Sequence, residues 1–199
     1  MTATENATEL TRIIACSVFK PAIDSLQLKR RYPHLRLTYL PSHLHLRPKD
    51  LKRRMRRAIT AARIRDERVI CIYGECFPEI DDFCRQSHVL KVPGHYCYEM
   101  LLGRDRFRHL MEETAGTYFV ERNLLLNFEE YCVIPLELQD EEMRRCCFGH
   151  YQRLVYIRQP SDADLTTQAD EVSRFLGLSL DVADVDYSYL DKMLVELLE

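Results

Sequence analysis

The chain has 199 residues, of which 46% are apolar and 30% charged, and a formal net charge of −3. This length and balance favour one folded domain and exclude a low-complexity disordered chain. No apolar run approaches the roughly 18 residues that a membrane span needs, and the first residues lack the basic and apolar parts of a signal peptide. We therefore expect a cytoplasmic protein that does not enter a membrane.

Strand-like and helix-like segments alternate along the chain after a polar N-terminal leader, residues 1–11. Short β-branched or aromatic runs that end at turn residues predict strands at 12–16, 35–40, 69–73, 89–92, 153–158 and 178–185. Apolar residues at helical spacing, often after a proline, predict helices at 21–28, 48–65, 78–85, 95–111 with a break at Gly103, 136–151, 162–176 closed by Gly177, and 187–198. Residues 116–127 predict a short strand followed by the start of a helix.

This alternation predicts the fold class. Strands separated by helices are typical of a mainly parallel sheet with right-handed crossovers and helices on both faces. We therefore expect a single α/β domain over residues 12–199, a Rossmann-like three-layer sandwich.

The cysteine content is unusual for a chain of this kind. Eight cysteines are present, and a reducing compartment argues against a disulfide framework, so metal binding or thiol chemistry becomes the alternative. No CxxC pair occurs, which excludes a zinc finger or zinc ribbon by spacing. A metal site would have to be assembled from distant parts of the chain.

Three cysteines follow the ends of predicted strands. Cys16 ends the first strand, Cys76 follows the third, and Cys97 follows the fourth. Ligands of open parallel sheets bind outside the carboxyl ends of the strands, so these thiols could converge there. Three thiolates suit zinc, which we favour, or an iron–sulfur cluster as the alternative. His95 or Glu99 could complete or support the set as cofactor-binding residues.

Other interpretations of the cysteines remain open. Cys76 or Cys97 alone could be a nucleophile with His95 as its base, although this accounts for one thiol rather than three. Free cysteine often fills a core as a small apolar residue. We assign that structural role to the cysteines outside the strand-end trio, which are Cys71, Cys84, Cys132, Cys146 and Cys147.

Sequence motifs connect the chain to a known family. The segments ACS, YGECFPEIDDFC, GHYCYEMLLGRDRF, GTYF and HYQRLVYI resemble the prokaryotic family catalogued as domain of unknown function sixteen thirty-eight, over nearly the whole chain. The recurring elements fall here on Cys16, Tyr73 to Cys76, Cys97 to Gly103, Gly116 to Phe119 and Arg153 to Tyr156. Many relatives carry glycine-rich text after the YGxC turn and His-Asp-Cys before LLG, whereas this chain has Phe77-Pro78 and His95-Tyr96-Cys97.

The resemblance implies a setting rather than a reaction. Family members are often encoded near components of corrinoid-dependent methyltransferases, which implies corrinoid or methyltransferase proteins as partners. In that setting, zinc held by Cys16, Cys76 and Cys97 would hold a substrate thiol as a thiolate for methyl transfer. The sequence does not decide whether the protein is an enzyme or an accessory factor.

A basic segment supplies the alternative function. Residues 47–68 contain ten Lys or Arg against three acidic residues, and such a surface could serve a non-enzymatic binding protein whose cysteines are structural. The chain is acidic overall and the segment lacks interleaved aromatic residues, so nucleic acid is not the expected partner. Residues 162–199 are acidic, and they could face the basic segment within the fold or across a homodimer.

Overall fold

The computed structural model describes residues 10–199. Most of the predicted polar leader therefore lies outside the described residues. The region that the sequence predicts as one domain, residues 12–199, consists of two compact units. The first contains residues up to His95 together with Met193–Glu199, and the second contains Tyr96–Lys192.

The first unit is built on a four-stranded parallel sheet. Its strands are β1 (Thr11–Cys16), β2 (Leu35–Leu40), β3 (Arg68–Ile72) and β4 (Leu90–Lys91). They lie in the order β2-β1-β3-β4, and every neighbouring pair is parallel. β1 and β3 are buried along most of their length, which agrees with their β-branched, apolar sequences.

Between its strands, the described residues of this unit form four α-helices: α1 (Lys20–Ser25), α2 (Leu28–Arg31), α3 (Pro48–Arg63) and α4 (Ile80–Gln86). α3 begins at Pro48, whose fixed φ suits the first helical position. Its buried stripe is Leu51, Met55, Ile59 and Ala62. Through this stripe α3 packs on β1, β2 and β3.

The second unit contains a three-stranded parallel sheet in the order β5-β6-β7. In chain order its elements are α5 (Cys97–Leu102), α6 (Arg104–Glu113), β5 (Thr117–Glu121), α7 (Arg122–Leu126), α8 (Glu141–Phe148), β6 (Arg153–Arg158), α9 (Thr166–Leu176) and β7 (Ser179–Asp184). A final helix, α10 (Ser188–Leu198), contributes residues to both units. A buried cluster that includes Val120, Leu154 and Tyr156 forms the core beneath this sheet.

The α/β class with parallel strands and surrounding helices is confirmed, and the strands lie in two sheets. The predicted break at Gly103 and the end of α9 at Gly177 are observed, and both glycines have positive φ. α8 starts later than predicted, because the Asp140 carboxylate caps the helix by accepting hydrogen bonds from the Glu142 and Met143 amides. Within residues 10–199, no helix is long and apolar enough to cross a membrane.

Candidate thiol site

The sheet order of the first unit brings the predicted strand ends together. β1 and β3 are neighbours, and β4 lies on the other side of β3. Because all three strands are parallel, their carboxyl ends meet at one edge of the sheet. Cys16 is the last residue of β1, and Cys76 lies four residues beyond the end of β3.

Sheet register places Cys16 next to Tyr73. Ile14 pairs with Cys71 and Ala15 with Ile72, so Cys16 and Tyr73 are the next pair beyond the ladder. Side chains alternate along a strand, which puts Cys16 on the same face as Cys71 and Tyr73. Their proximity also affects titration, because burial first, and then the thiols of Cys16, Cys76 and Cys71, raise the pKa of Tyr73 well above its usual value.

The Tyr73 hydroxyl is the notable polar atom of this edge. The residue is 1% exposed, and its hydroxyl has no hydrogen-bond partner within the described part of the chain. An unpartnered buried hydroxyl costs free energy, so native proteins usually satisfy it. The Tyr73 hydroxyl is therefore a hydrogen-bond donor at this edge that no described residue uses.

Cys76 sits in a tight turn that also holds a carboxylate and an imidazole. Its amide donates to the Gly74 carbonyl at 2.8 Å, and the preceding Glu75 amide donates to the His95 carbonyl at 2.7 Å. The Glu75 carboxylate also lies 2.7 Å from Nδ1 of His95. Both side chains are solvent-exposed. His95, predicted as a cofactor-binding residue or a base, is therefore oriented by Glu75.

Lys91 is a charged member of this edge that the sequence analysis missed. Its side chain is only 11% exposed, and its ammonium lies 3.1 Å from the Asp81 carboxylate and donates to the Gly94 carbonyl at 3.2 Å. Burial raises the pKa of the Cys76 thiol, and Lys91 is one of the groups that oppose the shift. A lysine inside the predicted 89–92 strand was the available signal, since a buried strand rarely carries an unpaired charge.

Cys71 and Cys84 form a separate pair. The Cys71 thiol donates a hydrogen bond to the Cys84 sulfur, which raises the pKa of Cys71 and lowers that of Cys84. Both residues are buried, as expected for the structural role assigned to them. Cys132 is also buried, whereas Cys146 is exposed.

The remaining predicted site residues belong to the second unit. Cys97 is the first residue of α5 and is partly exposed. Glu99 is 5% exposed, and its carboxylate lies 3.4 Å from the Arg104 guanidinium. The structure thus gives Glu99 an ion-pair partner within its own unit.

Across residues 10–199, no group of three or more His, Cys, Asp or Glu side chains is arranged to hold a metal ion. In the first unit, Cys16 ends β1 and Cys76 follows the carboxyl end of the neighbouring strand β3, at the same edge of the sheet.

The basic segment predicted at 47–68 corresponds mainly to α3. Some of its charges are occupied locally, because Arg53 pairs with Asp50 at 2.8 Å and Arg63 donates to the carbonyls of Ser87 and His88. Arg12 forms a buried ion pair with Glu67 at the end of the segment. Its role as a binding surface stays a prediction.

One of three comparisons with known proteins relates the chain to a family. No curated protein matches it, and no solved structure matches it. A family model described as "Protein of unknown function (DUF1638)" matches residues 39–194, which include Tyr73, Cys76, His95, Cys97 and Glu99. The chain therefore belongs to the DUF1638 family.

Proposed function

We propose that the carboxyl edge of the first sheet is a thiolate metal site, with zinc as the favoured metal. Within the first unit, Cys16 at the end of β1 and Cys76 in the turn after β3 would supply two sulfur ligands. Cys97 as the third ligand stays a prediction from the sequence. The observation that supports the proposal most is the sheet register that places Cys16 beside the buried Tyr73, whose hydroxyl has no hydrogen-bond partner among the described residues.

The chemistry of the donor set suits this proposal. Thiolate sulfur is a preferred ligand of zinc, and three protein ligands leave the fourth position open for a substrate. Bound zinc would supply Lewis acidity that lowers the pKa of a substrate thiol. The Tyr73 hydroxyl would donate a hydrogen bond to a sulfur or to the substrate, and Lys91 would stabilise negative charge at the same edge. An iron–sulfur cluster on the same cysteines is the alternative cofactor.

The proposed setting is methyl transfer, with a corrinoid or methyltransferase protein as partner. This part of the proposal comes from the family resemblance. A substrate thiolate bound at the open position of the zinc would be a good methyl acceptor. Metal analysis and the visible spectrum of anaerobically purified protein test the cofactor. Zinc predicts about one metal ion per chain and no colour, and a cluster predicts brown protein with iron. Protein without either metal would overturn the proposal.

A second candidate uses Cys76 as a nucleophile. The hydrogen bond of 2.7 Å between Glu75, the residue before Cys76, and His95 favours it, because a carboxylate that orients an imidazole is a recurrent part of nucleophilic catalysis by thiols. His95 would accept the Cys76 thiol proton, the thiolate would displace a leaving group from an electrophilic carbon, and His95 would return the proton to the leaving group.

The two candidates differ in their dependence on His95. If Cys76 is a nucleophile with His95 as its base, His95→Gln should slow alkylation of Cys76 by iodoacetamide at least tenfold at neutral pH. The control is His109→Gln, because His109 is also an exposed histidine paired with a glutamate. This variant should leave the alkylation rate unchanged. Equal rates in both variants would remove this candidate.

A further inference from the structure

A groove runs along the first unit beside Cys76. It consists of two cavities of about 740 and 550 Å³ that share Pro48, Phe77, Pro78 and Glu79 in their walls. Cys76 lines the smaller cavity. Cavities of this size accommodate small molecules, so we call the pair the Cys76 groove.

The larger cavity carries positive charge without local compensation. Arg47, Lys49 and Lys52 line it, and no carboxylate of the described residues forms an ion pair with any of the three. Asp50, which also lines the cavity, is paired with Arg53 at 2.8 Å. Glu79 adds a single negative charge, so an excess of positive charge remains.

Lys52 is held in place by aromatic rings. Its ammonium lies 5.7 Å from the centre of the Phe77 ring and 5.8 Å from that of Phe83. Cation–π contacts restrict a long flexible side chain while leaving its N–H groups available to a ligand. The cation is therefore positioned at the wall that the two cavities share.

Most of the negative charge that lines the smaller cavity is neutralised by neighbouring basic side chains. Glu75 contacts His95 at 2.7 Å, Asp81 pairs with Lys91 at 3.1 Å, and Asp82 pairs with Arg85 at 2.5 Å. These three carboxylates already have basic partners, and Glu79 is the fourth carboxylate of this cavity. Three cations, Arg47, Lys49 and Lys52, against the one charge of Glu79 leave the groove with an excess of positive charge.

We propose that the Cys76 groove binds a small molecule with an anionic group, a phosphate or a carboxylate, at Arg47, Lys49 and Lys52. The remainder of the molecule extends over Phe77 and Pro78 toward Cys76. The inference gives the proposed thiol site a class of substrate, and the role of Cys76 in it rests on the proposed function. Binding of the anion at Arg47, Lys49 and Lys52 does not depend on that function.

Calorimetric titration of the full chain with inorganic pyrophosphate and with malonate, at low ionic strength, tests the anion site. We expect one site per chain, and at least a tenfold loss of affinity in the double variant Lys49→Gln/Lys52→Gln. The control Lys29→Gln/Arg30→Gln removes the same charge from exposed positions of α2 and should retain wild-type affinity. The tighter of the two probes identifies the anionic group. No binding by either probe, or equal losses in the two double variants, would overturn the proposal.

Protection from alkylation tests the connection to Cys76. The probe is phenyl phosphate, which joins one anionic group to an apolar ring that would lie over Phe77 and Pro78. At saturation it should slow the reaction of iodoacetamide with Cys76 several-fold, as mapped by peptide mass spectrometry, and leave the exposed Cys146 unaffected. An unprotected Cys76 under saturation would contradict the proposed path of the ligand. Absence of metal in the purified protein would defeat the thiolate metal site without changing either result, so the two failures are distinguishable.

Discussion

Cys16 and Tyr73 are neighbours on one face of the first sheet, at the carboxyl ends of adjacent parallel strands. The pairing of Ala15 with Ile72 sets this relationship, and the Cys16 thiol contributes to the raised pKa of Tyr73. The Cys76 thiol, in the turn that follows β3, contributes to the same shift. Cys16 and Tyr73, which lie 57 positions apart in the sequence, thereby belong to one chemical environment.

In metal-free protein, Tyr73→Phe should raise the free energy of unfolding by about 1 kcal/mol, because it removes a buried hydroxyl that has no partner among the described residues. Tyr187→Phe is the matched control. Tyr187 is also buried, but its hydroxyl donates to the Gln159 side chain at 3.2 Å, so the same change should cost about 1 kcal/mol. Urea denaturation measures both. Equal losses in the two variants would show that the Tyr73 hydroxyl is satisfied.

Glu121 should make the protein less stable as the pH rises. Burial, with a contribution from Asp162, raises the pKa of Glu121 to about 7, although the amides of Asn123 and Leu124 oppose the shift. The native state therefore holds a proton that the unfolded chain releases near pH 4.5, which corresponds to about 3 kcal/mol of stability that is present at low pH and lost as the pH rises through 7.

The measurement for Glu121 is the free energy of unfolding from pH 5 to pH 8. Glu121→Gln, which keeps an oxygen for the amides, should flatten the dependence, and the exposed Glu113→Gln should leave it unchanged. A Glu121→Gln variant with the wild-type slope would assign the dependence to another group.

Glu67 should give the opposite dependence. Its carboxylate is buried and accepts hydrogen bonds from the Arg12 guanidinium at 2.5 and 2.9 Å, and these bonds, more than any other cause, lower the pKa of Glu67. The unfolded chain takes up a proton near pH 4.5 before the native state does, so this stability is present above that pH and lost as the pH falls through the native pKa.

Glu67→Ala should cost about 3 kcal/mol at pH 7, because it leaves the partly buried Arg12 without its main partner. Asp170→Ala, which breaks the exposed pair with Arg174, should cost less than about 0.5 kcal/mol. Thermal or urea unfolding compares the two. A loss at position 67 no larger than that at position 170 would show that the buried pair adds nothing.

Sequence patterns were sufficient for the local elements of the thiol site. The β-branched run at 69–73 predicts β3, and Pro48 marks the start of α3, as observed. Parallel strands with cysteines at their ends also predicted which edge of a sheet carries Cys16 and Cys76. These features depend on periodicity and on the conformational limits of proline, which act over a few residues.

The remainder depends on long-range packing that periodicity does not encode. The register that places Cys16 beside Tyr73, the orientation of Lys91 across the strand ends, and the division of seven strands into two sheets are decided by contacts between distant segments. The burial of Glu121 likewise follows from β5 ending inside the second unit rather than from any local pattern.

The most direct test of the metal site is the metal content of anaerobically purified Cys76→Ser protein beside wild type and Cys146→Ser. Elemental analysis should find about one zinc per chain in wild type and in Cys146→Ser, and a loss of at least tenfold in Cys76→Ser, with Cys16→Ser behaving like Cys76→Ser. Circular dichroism confirms that each variant is folded. Full retention of metal in folded Cys76→Ser, or wild-type protein without metal, would contradict the assignment.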